Sequence, residues 1–257
     1  MVPAALPRLE SPARRLATEE SRTMNLRDDP RIVRGMTAQF ALRRQRLDGG
    51  DKPLGWKVGF GLPIQLKQFN ITGPLVGFLT QDARIASGST VSLAGWAKPV
   101  AEPEVAVHIG RDVAAGATPE AAAAAIAGIS PAIELADVHE PATDPEGILS
   151  HNIYQRYVVL NGSTPARAGG AADGLTCRAF RRGAEFACTT DPQANTGRWV
   201  DIVSHVANLL AAFGERLRAG EVIITGSVVP PIAIEPDENS LAFALDPIGA
   251  VSITFSR

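Results

Sequence analysis

The sequence predicts a mixed α+β fold, one domain over residues 30–257 in which strands outnumber long helices. Three observations predict it. Stretches with a period of two recur, the clearest at 99–109 and 130–137. Beyond residue 220 every signal is strand: Val222 to Ser227, then Phe243 and Leu245 among alanines, then Val251, Ile253 and Phe255 among small polar residues. Only two long stripes carry the helical period, one starting at Pro30 and one at Trp199. Neither an internal repeat nor a linker divides 30–257.

In chain order, residues 1–29 are rich in Pro, Arg and Glu without an apolar period and read as an extended or disordered N-terminal segment, with Met24 as a candidate functional start. Asp29 then caps a helix with Pro30 in its first turn, and Ile32, Val33, Met36, Phe40 and Leu47 recur at helical spacing as far as Asp48-Gly49-Gly50. Leu54 to Phe60 is a glycine-punctuated strand in which Lys57 points away from Trp56 and Val58. Such a lysine fits a surface; the flanking glycines and apolar residues also fit a cation aimed into a cleft. Gly73 to Leu79 is a turn and a strand, and Ile85 to Val91 carries a Ser-Gly-Ser turn. Thr118-Pro119-Glu120 starts a helix, the alanines 121–125 propagate it, and Gly128 is its expected stop. Residues 138–151 form a loop able to carry a lid, Tyr157 to Leu160 a strand, and 161–198 turns with strands at Phe180 and Phe186. The second stripe, from Trp199 through Ile202, Val206, Leu210 and Phe213 to Leu217, should end at Gly220.

Composition excludes several classes of function. A net charge of −2 offers nothing to nucleic acid or an anionic membrane surface. No apolar run approaches the roughly 20 residues of a membrane helix. Two cysteines, Cys177 and Cys188, make neither a disulfide framework nor a zinc site, so the expected setting is reducing and cytoplasmic. No phosphate-binding loop and no Gly-x-Ser-x-Gly elbow is present. Gly55-x-x-x-Gly59-x-Gly61 is set aside as a dinucleotide fingerprint because no helix is expected after it. His108, His139, His151 and His205 are too scattered for zinc spacing. His205 reads as structural, and His108 either as a packed histidine or as a neighbour of a metal site.

The chemistry is concentrated in Glu102-Pro103-Glu104. With a period of two, Pro103, Val105, Val107 and Ile109 face one side, and Glu102, Glu104, Ala106 and His108 the other. The two carboxylates stand about 6–7 Å apart along the strand. Like charges that close repel unless a cation sits between them. Glu134 repeats the setting between Ile133 and Leu135. A Glu-x-Glu pair also occurs on solvated strand faces, but these flanks are apolar. Three carboxylates on apolar strands suit a hard divalent cation such as Mg²⁺ or Mn²⁺.

The motifs in order, Gly55-Trp56-Lys57-Val58-Gly59, Glu102-x-Glu104, Ile133-Glu134 and Ile223-Ile224-Thr225-Gly226-Ser227, resemble the 2-keto-4-pentenoate hydratase and 4-oxalocrotonate decarboxylase family of the fumarylacetoacetate hydrolase superfamily, over roughly residues 30–256. The resemblance implies a β-roll with flanking helices and the active site in its mouth. It implies Mg²⁺ or Mn²⁺ on Glu102, Glu104 and Glu134, catalysis by Lys57, and substrate binding by Asn152 and Ser227. It also implies a homo-oligomer acting on a small oxo-acid. A glutamate rather than an aspartate as third ligand points to the hydratase and decarboxylase branch. Two departures stand out: Leu75 where the hydratases carry an acid, and His151-Asn152-Ile153-Tyr154-Gln155 where they carry a stretch like Asp-Asn-Ala-Ser-Ser. The expected activity is hydration of a 2-hydroxy-2,4-dienoate to a 4-hydroxy-2-oxo acid. The alternatives are decarboxylation of a 2-oxo-dienedioate, hydrolysis of an acylpyruvate, and a member that binds without turnover.

Overall fold

The computed structural model describes residues 26–161 and 166–257. Most of the expected N-terminal segment, with Met24, lies outside these residues. Its last part is folded: a 3-10 turn at Leu26–Asp28 buries Leu26. Helix α1, Pro30–Asp48, starts as expected, with an Asp29 carboxylate oxygen accepting the Arg31 N–H at 2.9 Å. It buries Ile32, Met36 and Phe40 but leaves Val33 38% exposed and Leu47 only half-buried, so the inward stripe omits two expected members.

Strand β1, Pro53–Gly59, is followed by helix α2, Pro63–Phe69, and strand β2, Leu75–Thr80. A helix therefore does follow the three glycines, against the expectation. The dinucleotide reading still fails, because β1 and β2 pair antiparallel rather than as a parallel crossover. Strands β3, Arg84–Ala86, and β4, Thr90–Ser92, lead to the long central strand β5, Pro99–Ile109. Helix α3, Pro119–Ala125, stops three residues before the expected glycine. Strand β6, Ile126–Asp137, begins at once, and Gly128 pairs with His108 inside the sheet. The alanines offer little to bury, whereas Ile126 gains a place opposite Ile109 on β5, so pairing overrides helix propensity. Helix α4, Pro145–Ser150, shortens the expected lid loop; strands β7, Gln155–Leu160, β8, Thr176–Arg181, and β9, Ala184–Thr189, follow. Helix α5, Trp199–Ala212, ends before Gly214, which has φ +78°, not at Gly220. Leu217 has left the helix, and its carbonyl accepts the Val113 N–H at 3.0 Å. Strands β10, Val222–Ser227, β11, Ile232–Ala233, β12, Ser240–Asp246, and β13, Gly249–Ser256, complete the chain.

The strands make two sheets. The larger has the order β2-β1-β10-β5-β6-β7-β3, with β11 on the end of β5; the smaller is β4-β13-β12-β8-β9. One face of the larger sheet, with Trp56, Val105, Val107, Ile133 and Leu135, belongs to the main core shared with α1, α5 and the smaller sheet. The other face carries a second apolar cluster of Leu79, Ala106, Ala132, Val158 and Ile224. Lys57, Glu104 and Glu134 share this second face. The sheet is strongly curled around it. On a flat sheet β1 and β6, three strand spacings apart, would be separated by about 14 Å; here the Lys57 ammonium bonds the Glu134 carboxylate.

Closure needs backbones to approach closely at Gly55, which has φ +154° and pairs with Val222. A Cβ there would lie 1.9 Å from the Val222 carbonyl oxygen. Gly55→Ala is expected to cost roughly 3 kcal/mol or more. The measurement is a denaturant titration, in which the midpoint should fall steeply.

Candidate metal centre and active-site cavity

Glu102 and Glu134 are direct partners across the β5–β6 pair, and Glu104 stands two residues along β5 on the same face. One carboxylate oxygen from each of the three lies within 4.8 Å of the others. Glu104 and Glu134 are fully buried. Each keeps one buried oxygen without a hydrogen-bond partner, Oε1 of Glu104 and Oε2 of Glu134. Such oxygens cost free energy unless something electropositive meets them. An all-oxygen set with unpartnered atoms fits Mg²⁺ or Mn²⁺.

The neighbouring strands supply the electropositive groups that are present. Trp56 turns into the core, where its indole N–H donates to Glu221 at 3.0 Å and the Arg43 guanidinium lies over its ring. Lys57, next along β1, is thereby aimed the other way. Its ammonium donates to Glu134 and, at 3.3 Å, to the Ile153 carbonyl, with the residue 2% exposed. Strand β10 breaks register between Ile224 and Ser227, and Gly226 adopts φ +93°. That bulge turns the Gly226 N–H onto Oε2 of Glu104 at 2.7 Å.

A cavity of about 390 Å³ opens above this floor. Lys57, Glu102, Thr225, Gly226 and Ser227 line its polar end; Phe60, Leu62, Val100, Val138, Val229 and Pro230 line much of the rest. The structure thus brings Lys57, Ser227 and the three glutamates together. Asn152 lies apart, outside the cavity lining. Its side-chain oxygen accepts the Phe78 N–H at 2.8 Å and its amide donates to the Phe78 carbonyl at 2.9 Å. Phe78 is on β2, an edge strand, so Asn152 ties the edge of the roll to the segment before β7. It heads three successive non-glycine residues at positive φ, Asn152, Ile153 and Tyr154, at +51°, +51° and +60°. The turn presents the Ile153 carbonyl to Lys57 and Tyr154 to the cavity. Leu75 is core, and His108 bonds Ser130 at 2.8 Å, its side chain two alternate positions beyond Glu104. His205 bonds the Pro74 carbonyl at 2.9 Å, a structural part as expected. Sequence reading missed the Gly226 N–H, Tyr154, and Asn195 and Thr196, which reach the cavity from the segment before α5.

Burial raises the pKa of all three carboxyls. Glu104 is pushed well up, first by burial and then by the charges of Glu134 and Glu102. Burial lifts Glu134 to about 7, with Lys57 opposing; burial also raises Glu102, against the pull of Lys57. A cation held by these carboxylates would therefore compete with protons for the same oxygens. The folded, metal-free protein holds these protons to higher pH than the unfolded chain. For Glu134 the cost of burial thus grows as pH rises from the usual 4.5 and is complete above about 7; Glu104 and Glu102 act in the same direction. Added Mg²⁺ should raise Tm little near pH 5.5 and markedly near pH 8, with proton release on binding. Calorimetry with and without a chelator checks both; a shift in Tm independent of pH would count against these ligands.

The family described as fumarylacetoacetate (FAA) hydrolase C-terminal matches residues 62–250. A 4-oxalocrotonate decarboxylase from Pseudomonas sp is 26% identical over 216 residues, 81% of this chain and 82% of that protein. A 2-hydroxyhexa-2,4-dienoate hydratase from Comamonas testosteroni is 28% identical over 222 residues, 83% of this chain and 82% of that one. The solved structure of 4-oxalocrotonate decarboxylase from Pseudomonas putida G7, complexed with magnesium and adipate, superposes with a TM-score of 0.77 at 23% identity, covering 85% of this chain and 83% of that one. At that identity the likeness establishes the fold, a mixed α+β roll as expected.

Proposed function

The chain belongs to the fumarylacetoacetate hydrolase family, and from that premise we propose that it is a metal-dependent lyase of short 2-oxo and 2-hydroxydienoic acids, a hydratase of a 2-hydroxy-2,4-dienoate. The relatives carry both hydratase and decarboxylase names, so family alone does not choose. One observation carries the choice: apart from Lys57, no Lys, Arg or His lines the cavity among the described residues, so a second carboxylate has no second counter-charge there. A mono-acid can place its single carboxylate at the polar end and its carbon tail against Val100, Val138 and Val229. A dienedioate would have only the neutral donors Gln65, Tyr154, Asn195 and Thr196 to offer its second carboxylate, and no cation.

Glu102, Glu104 and Glu134 would hold Mg²⁺ or Mn²⁺; the oxygen donors and the two unpartnered oxygens fit it. Bound there, the cation supplies stabilisation of the negative charge that develops on a 2-oxo acid as a proton moves on its carbon skeleton. Lys57, the one cation of the cavity wall among the described residues, delivers or removes that proton and balances charge beside the carboxylate. The Ser227 hydroxyl, which lines the cavity beside the bulge and donates to the Pro103 carbonyl at 3.4 Å, would turn from that long bond to donate to the acid. Asn152 acts as a positioning residue, since its own amide is engaged with Phe78 and its turn offers the Ile153 carbonyl to Lys57. The family resemblance adds a homo-oligomer working in the cytoplasm.

The test is an ultraviolet assay of 2-hydroxypenta-2,4-dienoate and of a 2-oxo-dienedioate, with Mg²⁺, Mn²⁺ or a chelator, while CO₂ is followed. The expected result is metal-dependent loss of the diene absorbance of the mono-acid without CO₂. Release of CO₂ from the dienedioate at a higher kcat/KM would replace this reading with the decarboxylase one.

A further inference from the structure

We propose that His139, Glu140 and His151 form a second cation site, for a borderline transition-metal ion of the Zn²⁺ class, on the rim of the cavity. One ligand atom from each of the three lies within 4.8 Å of the others. The sequence spacing concealed the group, because His151 is brought back beside His139 by the intervening α4. Both imidazoles are already oriented. Nδ1 of His139 lies 2.9 Å from the Asp137 carbonyl, and Nδ1 of His151 lies 2.9 Å from the Gly147 carbonyl. A carbonyl only accepts, so each Nδ1 carries a proton, which in the neutral ring leaves Nε2 as the nitrogen with the lone pair. An imidazole whose other nitrogen donates to a backbone carbonyl is the arrangement that metal-binding histidines adopt. Tyr154 fixes the rings further, stacked on His151 at 6.1 Å between centroids and edge-on to His139 at 5.5 Å. The Glu140 carboxylate lies 3.9 Å from Nδ1 of His151, the nitrogen that faces Gly147; its side chain is 57% exposed and free to swing to the Nε2 side. Binding at Nε2 would need Glu140 to rotate and the set to contract from within 4.8 Å toward the roughly 3.3 Å separations of ligands around tetrahedral zinc.

The donor chemistry separates this site from the buried one. Two imidazoles and one carboxylate prefer Zn²⁺, Co²⁺ or Ni²⁺, whereas three carboxylates suit Mg²⁺ or Mn²⁺. Position gives an ion here a consequence. Val138, Ala142 and Tyr154 line the cavity, so linking 139–140 to 151 would brace that wall.

The experiment titrates Zn²⁺ into the full chain held in excess Mg²⁺, by calorimetry, with Co²⁺ absorption as a second probe. The expected result is one Zn²⁺ per chain, weakened more than about tenfold by His139→Ala and by His151→Ala, with Mg²⁺ binding unchanged. Glu140→Gln, on the exposed loop, should weaken Zn²⁺ in the same way and serves where a histidine variant fails to fold. Glu104→Gln should leave Zn²⁺ binding intact. Absence of Zn²⁺ binding, indifference to all three rim substitutions, or loss of Zn²⁺ in Glu104→Gln would overturn the proposal.

Discussion

Glu104→Gln is expected to remove divalent-cation binding and turnover together while making the metal-free fold more stable. The substitution is nearly isosteric, and the new side-chain oxygen can still accept the Gly226 N–H that Oε2 now accepts at 2.7 Å. The amide nitrogen then replaces Oε1, the buried oxygen without a partner. A donor there faces any cation held by Glu102 and Glu134 and repels it. The loss of a direct ligand should exceed the 10–100-fold cost of losing an outer partner, so affinity for Mg²⁺ should fall by more than about 100-fold, or about 2.7 kcal/mol. Turnover should fall at least as far. Stability moves the other way because Glu104 is fully buried and repelled by both neighbours. Relief of that repulsion should add about 1 kcal/mol to the chelated protein, or about 2–4 °C in Tm. A purely structural glutamate would show the opposite sign, so a chelated variant less stable than the chelated parent would remove Glu104 from the ligand set.

The carboxylate set was legible because strand pairing obeys a period of two, and an acid flanked by apolar residues on a buried strand is conspicuous. Glu134 could be aligned with the Glu-x-Glu pair because its own flanks, Ile133 and Leu135, repeat the pattern; the register that sets it opposite Glu102 is tertiary. What stayed hidden depends on backbone geometry or on distant segments. The Gly226 N–H enters the site through a bulge, and no side chain announces a bulge. Asn152, Ile153 and Tyr154 sit at positive φ although none is glycine, so propensity argues against the conformation that the Phe78 hydrogen bonds hold in place. The stop at Gly214 and the early end of α3 were missed because each was decided by what the next residues could pair with: Leu217 with Val113, and Ile126 with Ile109. Helix α2 buries only Phe69 and leaves Ile64 74% exposed, too small an apolar face to register as a stripe.

Lys57→Met should separate the charge of the site from its chemistry. The methionine retains the apolar stem but deletes the ammonium that bonds Glu134 and the Ile153 carbonyl. If Lys57 moves the proton, kcat should fall by roughly 10²–10⁴-fold. Binding of Mg²⁺ should persist or tighten, since a competing positive charge has gone from beside its ligands. That pattern differs from Glu104→Gln, in which cation and turnover are lost together. The metal-free variant should also lose stability, because Glu134 is left buried without its cation, a loss of up to about 3–5 kcal/mol if it stays ionised and less as it takes up a proton. Sign fixes the pH dependence: with Lys57 gone the Glu134 carboxyl, already near 7, moves higher, so the deficit grows as pH rises and Mg²⁺ narrows it. Lys57→Arg restores a positive charge that cannot give up its proton. It should recover much of the stability and little of the turnover. Recovery of both would make Lys57 a fixed counter-charge, and the proton would then have to move through another group on the cavity wall.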